Sequence, residues 1–347
     1  MDSRHFRYSV AAALVVATAM GAGAATAGGE SEAAARIEQI RSRGLFVHDP
    51  STVVKCKGEY WFFSTGRGIS SRHSKNLASW EDGPRVFPLS PAWTASVVPD
   101  FRDYFWAPDA LHLNDRFLLY YSVSKWGKNT SAIGLATNPT LDPADPAYRW
   151  TDRGIVIQSG VKDNFNAIDP SVLHDADGKL WMAFGSFWSG IKLIELDPAT
   201  GKRIAPDSPI ASLARHDTIE AACLCRHGNF YYLFVNWGLC ARGVNSTYNI
   251  RIGRSTAIAG PYLDELGVDL RQGGGSLFLG TRGSFIGPGH AGILSENGQD
   301  WLSCHYYDGK NNGRATLAIL PLTWTASGWP AVAARLGNNE QERRAGE

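Results

Sequence analysis

Asn166-Ala167-Ile168-Asp169-Pro170, then Leu180-Trp181-Met182-Ala183-Phe184, then Gly190-Ile191-Lys192-Leu193-Ile194: a turn-like acidic motif, an aromatic run and a short apolar run follow in close order. The same order recurs along the 347-residue chain. Asp49 in His48-Asp49-Pro50 leads Glu59-Tyr60-Trp61-Phe62-Phe63, and Asp109 in Ala107-Pro108-Asp109 leads Phe117-Leu118-Leu119-Tyr120-Tyr121. Glu220 in Ile219-Glu220-Ala221 leads Phe230-Tyr231-Tyr232-Leu233-Phe234, and His290 in Gly287-Pro288-Gly289-His290 leads Trp301-Leu302-Ser303-Cys304-His305. The lead residues stand 51 to 70 residues apart, and each run begins 8 to 11 residues after its lead. Third-strand runs follow at Ser131-Ala132-Ile133-Gly134-Leu135, Asn249-Ile250-Arg251-Ile252-Gly253 and Ala315-Thr316-Leu317-Ala318-Ile319.

Repeats of this size built from short strands predict an all-β chain folded as a five-bladed β-propeller. No long amphipathic helical period interrupts them between Leu45 and Pro330. If each lead residue opens the innermost strand of its blade, all five converge at one mouth of the axial channel.

The flanks read differently. Residues 1–27 combine Arg4 and Arg7, an apolar stretch over 10–20 and Ala25-Thr26-Ala27, the pattern of a secretory signal peptide. The stretch is too short to span a membrane. The chain is therefore expected to be secreted, to the extracellular space or the periplasm. Residues 28–43 read as a linker, 44–334 as the propeller and 335–347 as a polar tail. Without the signal, 32 basic residues balance 32 acidic ones, which removes the electrostatic case for nucleic acid or an anionic membrane as partner.

Five cysteines cannot all pair within one chain. Cys223 and Cys225 share one face of a predicted strand and are too close to bridge each other, while a bridge to Cys240 stays open. A zinc site is disfavoured, because neither a Cys-x-x-Cys pair nor a matching His pair occurs. Gly273-Gly274-Gly275-Ser276 lacks the lysine of a phosphate loop and reads as a turn.

Asp49, Asp169 and Glu220 at one mouth would crowd negative charge into a cleft. Burial and like charge raise the pKa of the group least able to ionise, making it an acid near neutral pH. That division of labour suits glycoside hydrolysis, where a carboxyl separation of about 6.5–9.5 Å accompanies inversion. Asp in Asp-Pro and Asp-Gly contexts also closes turns, and turn formation is the reading for Asp175, Asp177 and Asp197; recurrence at one phase sets the lead residues apart. Trp106, Phe187 and Trp188 lie beside these motifs, the last two in a Gly/Ser-rich loop, and offer aromatic faces to a sugar.

Taken together, His48-Asp49-Pro50-Ser51, Trp106-Ala107-Pro108-Asp109, Asn166-Ala167-Ile168-Asp169-Pro170, Gly185-Ser186-Phe187-Trp188-Ser189-Gly190-Ile191, Ser246-Thr247-Tyr248-Asn249-Ile250 and Gly287-Pro288-Gly289-His290 resemble the endo-α-1,5-L-arabinanases of glycoside hydrolase family 43. The resemblance implies Asp49 as general base, Glu220 as general acid, Asp169 as the residue that raises and orients the acid, and inversion at the anomeric centre. It implies substrate contacts from Asp49, Gly127, Asn166, Ala167, Ile168, Asp169, Ser186, Phe187 and Trp188, to which the aromatic reading adds Trp106. His290 would help to hold a calcium ion, mainly through water. The expected partner is arabinan, a side chain of pectin, and the expected state is a monomer. Two departures stand near the acid: Ala222-Cys223-Leu224-Cys225 replaces proline and bulky residues, and Ala241 replaces the second cysteine of a Cys-Cys-Arg-Gly run. An exo-acting α-L-arabinofuranosidase or β-xylosidase of the same fold, and a noncatalytic sugar-binding propeller, are the alternatives.

Overall fold

The aromatic runs are apolar on both faces, so each needs cover on two sides, and neighbouring blades provide it. The computed structural model describes residues 45–332; the signal segment 1–27, the linker 28–43 and the tail 335–347 lie outside the described residues. The first blade contains β1 (Val54–Cys56) and β2 (Glu59–Ser64); β3 (Gly66–Arg67) then departs toward the second blade, and β4 (Ser70–Ser74) and β5 (Glu81–Asp82) complete the first. After a single helical turn, α1 (Thr94–Val97), the second blade follows as β6 (Tyr104–Leu113), β7 (Arg116–Val123), β8 (Ser131–Asn138) and β9 (Thr151–Ser159). The third is β10 (Ser171–His174), β11 (Leu180–Phe184), β12 (Ile191–Leu196) and β13 (Ala211–Ala214). The fourth is β14 (Glu220–His227), β15 (Phe230–Trp237), β16 (Asn249–Ser255) and β17 (Ser276–Leu279). The fifth is β18 (Phe285–Glu296), β19 (Gln299–Asp308), β20 (Arg314–Trp324) and β21 (Pro330–Val332).

This is the five-bladed propeller expected from the repeat, with the aromatic run as second strand of every blade. Both ends of the described chain lie along β20. Val47 N–H donates to Ala315 O at 3.2 Å, and β21 pairs with the far end of the same strand, which closes the ring. No helix among the described residues is long and apolar enough to cross a membrane.

Alternation along each second strand sends side chains into two different cores. Trp61 and Phe63 pack toward the second blade, with Phe105 and Tyr121, whereas Phe62 packs toward the fifth, with Leu317 and Ile319. Leu233 and Val235 face the third blade, and Tyr232 and Phe234 the fifth. Burying each such side chain contributes about 1.5–3 kcal/mol, so the interblade seams are the core of the molecule.

The innermost strand of every blade carries the same defect near one mouth. One residue takes a left-handed backbone: Asp49 (φ 49°), Ala107 (40°), Asp169 (57°), Ala221 (52°) and His290 (58°). Each sits in a bulge. Trp106 faces Ser122 and Asp109 faces Tyr120; Glu220 faces Asn236 and Cys223 faces Phe234; Gly289 faces His305 and Gly292 faces Ser303. In the first blade Thr65 N–H donates to His48 O and Ser51 N–H to Phe63 O, and in the third Gly185 N–H donates to Ile168 O. Such bulges re-aim side chains at the rims of β structures.

This phase corrects the expected convergence of all five lead residues. Asp109 lies two positions past the bulge of its blade, so it falls inside β6 and away from the mouth, and it closes no turn. Its carboxylate accepts from Thr52 N–H at 3.0 Å and Val172 N–H at 2.8 Å, lacing the first and third blades to the second. Asp175 does close a turn, but it also accepts from the Tyr231 hydroxyl and pairs with Arg226 of the next blade.

Burial pushes the Asp109 carboxyl up to about 6, against the lowering effect of its hydrogen bonds to Val172 and Thr52. A carboxyl raised above its unfolded value of about 3.9 stabilises the fold fully below that pH, and loses the contribution as pH rises through the folded value. Asp109→Ala, which leaves two buried N–H groups unpaired, is expected to lower stability by about 2–5 kcal/mol in urea unfolding. The gap between variant and wild type should be widest near pH ~4 and narrow through pH ~6.

Candidate active site

A bulged N–H has no ladder partner and, once buried, must find an acceptor elsewhere. In all five blades that acceptor is a side chain from the preceding blade. Asp49 N–H donates to His305 Nδ1 (3.1 Å), Ala107 N–H to Thr65 Oγ1 (2.8 Å), Asp169 N–H to Ser122 Oγ (3.0 Å), Ala221 N–H to Asp169 Oδ2 (3.1 Å) and His290 N–H to Asn236 Oδ1 (2.9 Å). Thr65, Ser122, Asn236 and His305 occupy the matching place at the end of each aromatic run. In the third blade that place is Gly185, where an added Cβ would come within 2.6 Å of Gly190 O, so Asp169 supplies the acceptor instead.

Two electrostatic environments result. Asp49 Oδ2 accepts from Thr65 Oγ1 at 2.6 Å and faces His48 Nδ1 at 2.8 Å. His48 Nε2 lies 2.9 Å from the Tyr307 hydroxyl, and its ring stacks on His305 with centroids 4.2 Å apart. Burial alone would raise the Asp49 pKa, but the charge and hydrogen bond of His48, with His290 and His305, hold it well below the usual carboxylate range. Burial likewise works against protonation of His48, and Asp49 overcomes it, so the His48 pKa rises. Asp49 is thus a stable anion.

Across the mouth the balance is reversed. Glu220 Oε2 accepts from Ser186 Oγ at 2.8 Å, and Tyr248 and Cys240 also hydrogen-bond to the carboxyl. Burial still raises its pKa, with the Asp49 charge adding to the shift. Asp169 is raised well above the ordinary range by burial first, then by Glu220 and Asp49. The pair therefore retains a proton that Asp49 has lost. An anionic carboxylate and a protonated one in a single cleft can activate a water and protonate a leaving group.

The cleft has a volume of about 860 Å³. Asp49, Trp106, Gly127, Asn166, Ile168, Asp169, Ser186, Phe187, Trp188, Glu220 and His290, all expected from sequence, line it. Ala167 does not: its side chain is fully buried in the seam between the second and third blades. Phe187 (φ 52°) and Trp188 (φ 38°) form a ledge anchored by Phe187 N–H to Ile219 O, the residue before the acid. Asn166 Oδ1 is buried without a partner, an acceptor open to a ligand hydroxyl. Among the described residues Cys56, Cys223, Cys225 and Cys240 form no disulfide; Cys223 and Cys225 are buried in β14, and Cys240 lines the cleft beside Glu220.

Sequence reasoning missed Thr65, Ser122, His305, Tyr307 and Tyr248 as contributors. A polar residue closing each aromatic run was the available signal.

For a cation, His48, Asp49 and His305 lie close enough to share one ion. Both His48 nitrogens and His305 Nδ1 are already engaged, however. The freer donors are Asp49 Oδ1 and, 3.6 Å from it, His290 Nδ1, whose ring burial keeps neutral. Calcium takes six to eight oxygen ligands, so this set fits it only with most of the shell supplied by water.

The family model for glycosyl hydrolases family 43 matches residues 44–330. An extracellular exo-α-(1→5)-L-arabinofuranosidase of Cellvibrio japonicus is 44% identical over 300 residues, covering 82% of this chain and 86% of that protein. An extracellular endo-α-(1→5)-L-arabinanase of Bacillus subtilis is 40% identical over 293 residues, covering 82% and 87%. Among solved structures, the Cellvibrio cellulosa α-L-arabinanase complexed with arabinohexaose superposes with a TM-score of 0.80 at 42% identity, covering 84% of this chain and 96% of that one. The Bacillus licheniformis endo-arabinanase gives 0.77 at 40% identity, covering 82% and 97%.

The Thr65 hydroxyl accepts from Ala107 N–H and so has its proton directed at Asp49. Thr65→Val removes both bonds at nearly constant volume, and kcat/KM is expected to fall about tenfold with a lowered melting temperature, whereas Thr65→Ser keeps both near wild type.

Proposed function

The chain belongs to the glycosyl hydrolases of family 43, and from that premise we propose that it is a secreted endo-α-1,5-L-arabinanase that inverts the anomeric centre. It is a glycosidase that acts on arabinan. One observation carries the roles of base and acid: Asp49 lies among His48, His290 and His305 and is held ionised, while burial favours the protonated forms of Glu220 and Asp169 in the same cleft.

In this reading Asp49 takes a proton from water as the water oxygen bonds to the anomeric carbon, and Glu220 gives its proton to the departing glycosidic oxygen. Asp169 acts through Glu220. Crowding of the two buried carboxyls opposes loss of the proton they hold, and Asp169 Oδ2 fixes Ala221 N–H, the next backbone group along. Ser186 orients the acid by its 2.8 Å bond. Trp106, Phe187 and Trp188 offer stacking faces, and Gly127, Asn166 and Ile168 lie where sugar hydroxyls would meet the wall. Ala167 contributes through backbone placement, since its N–H donates to Ser159 Oγ behind the wall. Calcium is the cation proposed here, with His290 and Asp49 Oδ1 as the residues that would hold it. When bound it would supply fixed positive charge beside the base.

The relatives divide between modes: one is named an exo-arabinofuranosidase and another an endo-arabinanase. A cleft built from all five blades favours a substrate held on both sides of the cut, which is the endo reading; the exo relative supports the alternative. A timed product profile on debranched arabinan, with and without chelator, separates them. Mixed oligomers at early times are expected, with slower turnover after chelation, and early release of one small product alone overturns the endo mode.

Glu220→Ala should lower kcat at least ~100-fold on linear arabinan with the fold unchanged by circular dichroism. Asp169→Asn keeps an acceptor for Ala221 N–H but removes the second ionisable carboxyl of the pair. Without that mutual repulsion the last proton of the site is lost at lower pH, so the alkaline limb of the kcat/KM profile should move down. A limb that stays in place contradicts the role given to Asp169.

A further inference from the structure

Beside the main cleft lies a second hollow of about 410 Å³, lined by Val98, Pro99, Asp100, Phe101 and Arg102 together with Tyr104, Trp106, Ser124, Lys125 and Trp126. The last five also line the cleft, so the two spaces are continuous around the Trp106–Trp126 pair, whose rings meet edge-on at 6.2 Å. Trp126 is 73% exposed and Tyr104 46%, a large aromatic surface at the rim. The far wall is anchored rather than loose: Asp103 O accepts from Gly68 N–H at 2.7 Å, and Phe101 N–H donates to Val98 O at 3.1 Å. Aromatic faces combined with a few charged hydrogen-bonding groups, here Asp100, Arg102 and Lys125, in a hollow of a few hundred Å³ are the features of a small polar-ligand site. Tyr104, Trp106, Ser124, Lys125 and Trp126 are common to both spaces, so a glycan longer than the cleft would reach the hollow past Trp106.

We infer that this hollow is a remote subsite for the outer arabinofuranosyl residues of a long, linear substrate, with Trp126 as stacking face and Arg102 as hydroxyl partner. The inference rests on arabinan being the substrate. It makes Arg102, which lies outside the cleft, a determinant of chain-length preference.

Arg102→Ala tests it by kinetics on arabinotriose, debranched arabinan and branched arabinan. Turnover of the trisaccharide should match wild type, while KM for the debranched polymer rises about three- to tenfold with kcat unchanged. Trp126→Ala should raise the same KM at least as much. In the Glu220→Ala background, the affinity of debranched arabinan measured by titration calorimetry should fall by the same factor when Arg102→Ala is added. Equal losses on trisaccharide and polymer, no loss on the polymer, or a loss confined to branched arabinan each overturn the subsite. Failure of the otherwise unaltered Glu220→Ala protein to bind arabinan sinks the substrate assignment itself, an outcome distinct from intact binding that is indifferent to Arg102.

Discussion

The bulged N–H groups around the axis are the constraint on which the site depends. An innermost strand has no further strand inside it, so its inward backbone groups are orphaned unless side chains serve them. Here each blade lends one acceptor to the next, from His305 to Asp49 around to Asn236 and His290. The ring is structural in origin. It becomes chemical because several of its members are also the groups that set charge in the cleft.

That double duty explains why three carboxylates within one mouth behave differently. Asp49 receives its ring acceptor as an imidazole and is surrounded by His48, His290 and His305 with Thr65 donating to it. Glu220 and Asp169 have neutral donors: Ser186, Tyr248 and Cys240 for the one, the Ala221 amide for the other. At comparable burial, the difference lies in nearby positive charge, which favours ionisation for Asp49 and is absent from the causes that shift the other two. Fixed partners of this sort need no rearrangement during reaction, which is how a preorganised site gains over water.

Much of this was legible in the chain. The aromatic runs predicted the second strands because covering on both faces leaves an apolar run with no polar alternation, and β11 coincides with Leu180-Trp181-Met182-Ala183-Phe184. The lead residues were harder. Aligned by charge, Asp109 and Glu220 looked equivalent to Asp49, yet the backbone phase is marked by Ala107 and Ala221, which carry no chemical signal. A left-handed alanine is invisible in a pattern of polar residues. Thr65, Ser122 and His305 were missed for a related reason: each acts on a neighbouring blade, so no spacing within its own repeat ties it to its target.

The bulge also explains why the chemistry occupies one mouth of the channel and not the other. Past the bulge the ladder is regular, and the inner strands are tied together by Asp109 to Thr52 and Val172 and by Ser171 to Leu224 N–H, bonds that consume their polar atoms. At the bulge the left-handed residue breaks the alternation and brings Asp49, Asp169, Glu220 and His290 to the same opening. Replacing the lead residues can therefore change what the mouth does while the lacing below it holds the blades, provided that each bulged N–H keeps an acceptor. Asp169 is the exception, since its Oδ2 is itself the acceptor that Ala221 N–H needs.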